Sequence, residues 1–321
     1  MGEPVLRATP NYQLSTAYQT FSSGLSTRSR DNSVSPLDLV NLRPLMELSN
    51  GRPEVTIALI DGPVATDHPD LAQATIRELS VKSGATCARA DSIACLHGTL
   101  VAGMLSAGRD SAAPAICPGC TLLVRPIFAE ASRSTQLPNA TPEELGTAII
   151  ECVAGGAQII NLSAALRQSS PKGERLLNEA MEHCSRRGVI IVAAAGNQGS
   201  IGSSSITRHP WVIPVVACDL QQRPIGYSNL GSSIGRQGLR APGDGITSLS
   251  GDGTTETFGG TSAAAPFVTG ALGLLFSEFP DASAAQIKFA ITRRDAARRQ
   301  SIVPPLLDAW SAYQTLRQMY D

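Results

Sequence analysis

Five short apolar runs, rich in β-branched residues and bounded by turn residues, constrain the fold of this chain more than any other feature. They lie at 55–60, 121–128, 158–163, 189–195 and 211–218. Continuous apolar runs of this length are typical of strands buried on both faces of a parallel sheet. Stretches with helical spacing lie between them, near 97–107, 142–154 and 172–187. Because parallel strands need right-handed crossovers, the pattern predicts an α/β fold with a doubly wound, mostly parallel sheet and helices on both faces.

The segments that precede the first run differ in character. Residues 1–36 are rich in Ser, Thr, Asn, Gln and Arg and show no sustained period, so we expect a flexible N-terminal arm there. Apolar residues at helical spacing predict an amphipathic helix over 37–48, ending near Asn50 and Gly51.

The later segments complete the predicted organisation. Residues 227–260 are rich in Gly and Ser and predict edge strands and loops. Residues 262–276 are apolar nearly all round, which predicts a buried central helix. Since the chain has neither an internal repeat nor an obvious linker, we expect 37–321 to form one domain.

Charge and hydropathy exclude several classes of partner. The chain carries 26 Lys and Arg against 27 Asp and Glu, so it lacks the basic surface that nucleic acids or anionic membranes would attract. The apolar run at 271–276 is far shorter than the roughly 20 residues of a membrane-spanning helix. Residues 1–13 hold no continuous apolar stretch, unlike a signal peptide. We therefore expect a cytoplasmic protein without nucleic-acid or membrane partners.

The seven cysteines leave three interpretations open. Four of them, Cys87, Cys95, Cys117 and Cys120, could hold zinc, form one or two local disulfides, or be inert thiols. The wide spacing between Cys87 and Cys95 disfavours zinc. The Asp-His-Pro-Asp run at 67–70 lacks a second ligand motif and is more typical of a turn. We expect no metal and no other cofactor.

Three polar residues stand at predicted strand or helix ends. Asp61 follows the first strand, His97 opens a predicted helix, and Ser262 begins the apolar central helix. Each alone has an ordinary explanation, as a turn, a buried imidazole or a helix cap. Together they supply the carboxylate, base and nucleophile of serine catalysis. Because such ends converge at one edge of a parallel sheet, we expect the three side chains to meet.

Asn197 follows the strand predicted at 189–195 and completes this set. A tetrahedral intermediate carries negative charge on the former carbonyl oxygen, so the site needs fixed hydrogen-bond donors there. We expect the Asn197 amide and the backbone N–H of Ser262 to supply them.

The motifs around these residues resemble those of the subtilisin-like serine proteases. They are LIDG at 59–62, HGTLVAG at 97–103, AAAGN at 193–197 and GTSAAAP at 260–266. The order Asp, His, Ser is that of the subtilisin triad. The resemblance covers about 55–279 and implies a subtilisin-like fold and serine endopeptidase activity, with Asp61, His97, Ser262 and Asn197 as catalytic residues.

The same resemblance implies where substrate binds. One expected wall of the pocket comprises Ser163, Ala164 and Ala165, and the opposite wall comprises Ala194, Ala195 and Gly196. Extended substrate backbone pairs with such a segment. Relatives usually carry Gly at the place of Ala165, so the extra methyl group predicts Ala, Ser or Gly before the scissile bond.

Further short motifs resemble the maturation proteases of patellamide-type cyanobactin pathways. They lie at 61–64, 67–69, 124–128, 227–232 and 241–243. In that group one kind of protease hydrolyses the leader from a ribosomally made precursor peptide. Another kind macrocyclises the peptide and carries a helical insertion between the Asp and His motifs. Only 36 positions separate Asp61 from His97 here, which favours the leader-removing kind with a precursor-peptide substrate.

Other functions remain alternatives. A general degradative subtilase would share every catalytic residue. A macrocyclising transamidase is disfavoured by the short Asp-to-His connection. A non-catalytic peptide-binding protein would need a broken triad or a missing oxyanion donor, and neither is found in the sequence. The oligomeric state is not predicted.

Overall fold

A computed structural model of the protein describes residues 35–79, 87–128, 130, 140–163, 171–293 and 301–321. Its strands are β1 (Thr56–Asp61), β2 (Ile76–Glu78), β3 (Thr121–Pro126), β4 (Ile159–Leu162), β5 (Ile190–Ala194), β6 (Val212–Cys218), β7 (Leu239–Pro242), β8 (Ile246–Leu249) and β9 (Thr255–Phe258). Strands β1 to β7 form one parallel sheet in the order β2-β3-β1-β4-β5-β6-β7, and β8 and β9 form an antiparallel hairpin.

Helices cover both faces of this sheet. They are α1 (Pro36–Leu39), α2 (Arg43–Leu48), α3 (Ile93–Ser106), α4 (Pro142–Ala154), α5 (Pro171–Arg187), α6 (Ser205–Arg208), α7 (Ser232–Gln237), α8 (Thr261–Glu278), α9 (Ala284–Thr292) and α10 (Ala309–Tyr320). A short 3₁₀ helix spans Pro69–Leu71. Among the described helices, none combines the length and apolar character needed to span a bilayer.

Strand β1 shows how the two faces are filled. Ile57 and Leu59 belong to the core that contains residues of α3 and α8, whereas Ala58 and Ile60 belong to the core that contains residues of α4 and α5. A strand buried on both sides cannot alternate apolar with polar residues, which is why its sequence is continuously apolar. The predicted doubly wound α/β architecture is confirmed.

The predicted boundaries match closely where burial is complete. Each of the five apolar runs forms a strand whose ends lie within two residues of the prediction. Strands β7, β8 and β9 lie in the segment predicted as edge strands and loops, and α8 is the expected buried central helix. Strand β2 was not predicted, because it has only three residues and is half exposed.

The helix predicted over 37–48 is wrong as a single element. The chain forms α1 and then α2, with a break at Asn41, whose φ is +51°. Pro44 lies in the first turn of α2. A proline inside one continuous helix would lack an N–H and would collide with the carbonyl four residues earlier, so the helix has to restart there.

The prediction that His97 opens a helix is also wrong. Helix α3 begins at Ile93, and the Ser92 hydroxyl accepts a hydrogen bond from the Cys95 N–H as its N-cap. Ser92 is a strong capping residue, and the helix therefore starts one turn before His97. The imidazole is thus carried by the body of a helix instead of by its frayed end.

The structure selects one of the three interpretations of the cysteines. Cys87 and Cys95 form a disulfide, while Cys117 and Cys120 are free and buried. A four-cysteine zinc site is therefore excluded. The Glu130 carboxylate lies beside the disulfide, but it accepts hydrogen bonds from the N–H groups of Ala88 and Arg89 at 2.9 and 3.0 Å, so it secures this loop.

Candidate active site

Three neighbouring strands end at the same edge of the sheet. Strands β1, β4 and β5 lie side by side, and Asp61, Ser163 and Asn197 leave their carboxyl ends. The chain crosses from one side of β1 to the other between β3 and β4, so this edge is also the point where the strand order reverses. Crevices at such reversal points are the usual ligand sites of open α/β sheets.

Asp61 and His97 form a buried pair. His97 Nδ1 lies 2.6 Å from Asp61 Oδ1, and the Gly62 N–H donates to the same oxygen at 2.7 Å. Both side chains are at most 6% exposed. A carboxylate can only accept here, so Nδ1 carries a proton and Nε2 of the neutral ring is an acceptor. Within the described residues, Nε2 has no hydrogen-bond partner.

Ser262 is the second residue of α8 and is buried. Its hydroxyl donates to the backbone carbonyl of Ser163 at 3.1 Å, across a sequence separation of 99 residues. The expected contact between all three side chains is therefore present for Asp61 and His97, whereas the Ser262 hydroxyl is bonded to the end of β4.

Asn197 is held from the start of α8. Its Oδ1 accepts hydrogen bonds from the Thr261 N–H at 2.9 Å and from the Thr261 hydroxyl at 3.0 Å. A backbone N–H can only donate, so the amide oxygen must face Thr261 and the Nδ2 group is left for another acceptor. The Ser262 N–H is one of the donors that a helix start leaves unpaired.

The expected pocket walls are described in part. Ser163, Ala194, Ala195 and Gly196 are all buried at the carboxyl ends of β4 and β5. Ala164 and Ala165 lie outside the described residues.

Two residues of this site were not singled out from the sequence, although both lie inside a quoted motif. Thr261 orients the Asn197 amide and also accepts from the Gly196 N–H at 3.1 Å. Gly260 has a φ of +99°, and a Cβ placed on it would lie 2.9 Å from Asn197 Nδ2. The glycine in the motif signalled a special backbone, but its neighbour in space could not be read from it.

The arrangement provides the groups that acyl transfer requires. A hydroxyl at a helix start, an imidazole oriented by a buried carboxylate, and an amide with its N–H₂ group free lie around one sheet edge. Their combination is the general pattern of serine catalysis.

Comparison with known proteins gives consistent findings. The sequence model of the subtilase family, Peptidase S8, matches residues 52–304. Subtilisin DY from Bacillus licheniformis is 28% identical over 242 residues, which covers 73% of this chain and 81% of that protein. Subtilisin E from Bacillus subtilis is also 28% identical, and the match spans 58% of its length.

Solved structures extend these similarities. A mutant of the protease domain of PatA has 30% sequence identity and a TM-score of 0.74, covering 84% of this chain and 97% of that chain. The prenylagaramide maturation protease PagA has 29% identity and a TM-score of 0.73, covering 86% and 98%. The PatG macrocyclase shares the fold at 19% identity, with a TM-score of 0.73.

Proposed function

This chain belongs to the subtilase family of serine proteases, and from that premise we propose that it hydrolyses the leader from a ribosomally made precursor peptide. We assign Asp61, His97 and Ser262 as its triad and Asn197 as an oxyanion donor. The observation that carries the assignment is the buried 2.6 Å contact between His97 Nδ1 and Asp61 Oδ1, with Nε2 left without a partner among the described residues. A structural histidine would have both ring nitrogens bonded.

The reaction follows from this geometry. The Ser262 hydroxyl turns from the Ser163 carbonyl toward His97 Nε2, gives up its proton there and attacks the substrate carbonyl carbon. Asp61 stabilises the imidazolium that forms. The charge on the former carbonyl oxygen is met by Asn197 Nδ2 and the Ser262 N–H.

Collapse of this intermediate breaks the peptide C–N bond. His97 returns its proton to the leaving amine, and an ester remains on Ser262. Water then gives its proton to His97 and attacks the ester carbonyl, which releases the new carboxylate and restores the hydroxyl.

The relatives support the proposed substrate. PatA is a patellamide maturation protease and PagA a prenylagaramide maturation protease, and each is about 30% identical to this chain with nearly complete coverage. Between β1 and α3, the described residues form only the 3₁₀ helix Pro69–Leu71 and the short strand β2. Since a macrocyclase of this group carries a helical insertion there, hydrolysis is the favoured outcome.

Isotope labelling tests hydrolysis against cyclisation. The enzyme is incubated with patellamide-type precursor peptides in H₂¹⁸O, and the products are analysed by mass spectrometry. We expect a leader fragment whose new carboxylate carries ¹⁸O and a linear remainder, with casein left intact. A cyclic, unlabelled product would indicate transamidation, and rapid digestion of casein would indicate a general degradative protease.

Ser262→Ala is the matched control. It should lower kcat by about 10⁶-fold, a magnitude taken from subtilisin, which is a relative of this chain. It should also abolish labelling by a fluorophosphonate. A variant that still cleaves at an appreciable rate would disprove the assignment of the nucleophile.

Specificity for a small residue before the scissile bond is tested separately. In peptides that differ only at that position, we expect kcat/KM for Ala, Ser or Gly to exceed that for Phe or Leu by about tenfold or more. A preference for Phe or Leu would refute the narrow pocket. The cytoplasmic location remains a prediction, and fractionation of the producing cell would test it.

A further inference from the structure

The loop that carries Asn197 lies along a second segment of chain, residues 227–230. The Gly199 N–H donates to the Tyr227 carbonyl at 2.7 Å, and the Leu230 N–H donates to the Ser200 carbonyl at 3.0 Å. The Asn229 N–H donates to the Gly196 carbonyl at 2.8 Å. This pairing places Asn229 directly beside the loop.

The Asn229 side chain grips the loop on both sides of Asn197. Its Oδ1 accepts from the Gln198 N–H at 3.1 Å, the Ser200 N–H at 3.1 Å and the Ser200 hydroxyl at 2.9 Å. Its Nδ2 donates to the Ala195 carbonyl at 3.1 Å and to Gln198 Oε1 at 2.6 Å. Only a side-chain amide offers an acceptor and donors in this arrangement.

The loop needs such a clamp because its own backbone is irregular. It leaves β5 at Ala194, and Gly196 and Gly199 have φ values of +104° and +62°. A chain that alternates between extended and left-handed conformations cannot continue the pairing of a sheet. Its position is therefore fixed by side chains, and Asn229 makes contacts to the residues just before and just after Asn197.

We propose that Asn229 is a positioning residue for the reaction, because it holds residues 195–200 where Asn197 Nδ2 can meet the developing oxyanion. The inference rests on the proposed role of Asn197. Asn229 acts through the loop and makes no contact with the reacting atoms. Since an oxyanion donor acts in the transition state and not on bound substrate, loss of the clamp should lower kcat and leave KM unchanged.

A double-mutant cycle tests this coupling. We expect Asn197→Ala to lower kcat by about 10²–10³-fold, the scale known from subtilisin. Asn229→Ala should lower kcat by about 10²-fold, since a displacement of about 1 Å costs that much. If Asn229 acts only through Asn197, the double variant should match Asn197→Ala within about twofold.

Two further variants complete the design. Asn229→Asp has nearly the same size and keeps an acceptor oxygen but loses the donor to the Ala195 carbonyl, and it should lower kcat by about tenfold should the alanine variant fail to fold. Gln237→Ala is the control. The Gln237 amide donates to the carbonyls of Thr207 and His209 at 3.0 and 2.9 Å, so its loss perturbs a comparable clamp in another loop and should leave kcat unchanged.

The outcomes separate this inference from the proposed function. A wild-type kcat for Asn197→Ala would refute the proposed oxyanion donor and the inference together. A large loss for Asn197→Ala combined with a wild-type kcat in folded Asn229 variants would refute the inference alone. So would independent losses that multiply in the double variant, because Asn229 would then act by some route other than Asn197.

Discussion

Gly260 provides a direct test of how tightly the oxyanion site is built. A Cβ at this position would lie 2.9 Å from Asn197 Nδ2 and 3.2 Å from Oδ1. The amide cannot rotate away freely, because Thr261 donates twice to Oδ1 at 2.9 and 3.0 Å. Gly260→Ala should therefore displace Asn197 or break its bonds to Thr261.

The expected magnitude follows from these distances. Displacement of a catalytic group by about 1 Å costs about 10²-fold in rate, and the upper limit is the 10²–10³-fold loss expected when the donor is removed. The φ of +99° at Gly260 adds a folding cost, because an alanine held in this region is strained by about 1–3 kcal/mol. Initial rates on a chromogenic peptide give kcat and KM, and urea unfolding gives the stability change.

Gly253→Ala is the matched control for strain. Gly253 has a φ of +85°, but a Cβ placed there would meet nothing within 4 Å. It should lose a similar amount of stability and keep its kcat. A Gly260→Ala variant that folds and retains kcat within about threefold of wild type would refute the crowding of Asn197, and an equal kcat loss in Gly253→Ala would attribute the effect to strain.

Three other predictions concern stability. Replacing both Cys87 and Cys95 by Ser should lower the unfolding free energy by about 2–3 kcal/mol, measured in urea without reductant, because the bond closes a loop across a separation of 8 residues. Asn161→Leu removes two buried hydrogen bonds of 2.8 and 2.7 Å and should cost about 1–3 kcal/mol for each partner left unsatisfied, in contrast to a near-zero change for an exposed substitution. Burial lowers the pKa of His209 although Glu182 opposes the shift, so the unfolded chain takes up the proton first as pH falls below about 6.5; stability should decline there toward the folded pKa, and His209→Gln should flatten that slope in unfolding measured from pH 7.5 to 5.

The sequence predicted those parts of the fold that one physical property decides. Burial on both faces makes a strand apolar throughout, so β1 and β6 could be placed within two residues from composition alone. Strand β2 is only half covered, and its residues Ile76–Glu78 therefore carry no such pattern. The break between α1 and α2 had a local signal in Pro44, but the helical spacing of the apolar residues outweighed it in the prediction.

The parts of the site that the sequence missed are contacts between residues far apart along the chain. Asn229 lies about 30 positions from the loop that it clamps, and Thr261 lies 64 positions from Asn197. A lone Asn in a polar segment has many ordinary explanations as a turn residue. Its role depends on which backbone groups the fold brings beside it, and periodicity or spacing cannot supply that information.

The glycines beside the triad show where sequence and geometry do connect. A Cβ on Gly62 would lie 1.9 Å from the Ala94 carbonyl oxygen, and a Cβ on Gly98 would lie 2.4 Å from the Pro63 carbonyl oxygen. Helix α3 therefore approaches the end of β1 at backbone contact, which only glycine permits on both sides. This approach brings the His97 ring to 2.6 Å from Asp61, while Ser92 caps the helix one turn earlier and keeps that ring on rigid structure. Small residues next to His97 thus determine the catalytic distance as directly as the imidazole and carboxylate do, because any larger side chain at either glycine would push the two elements apart.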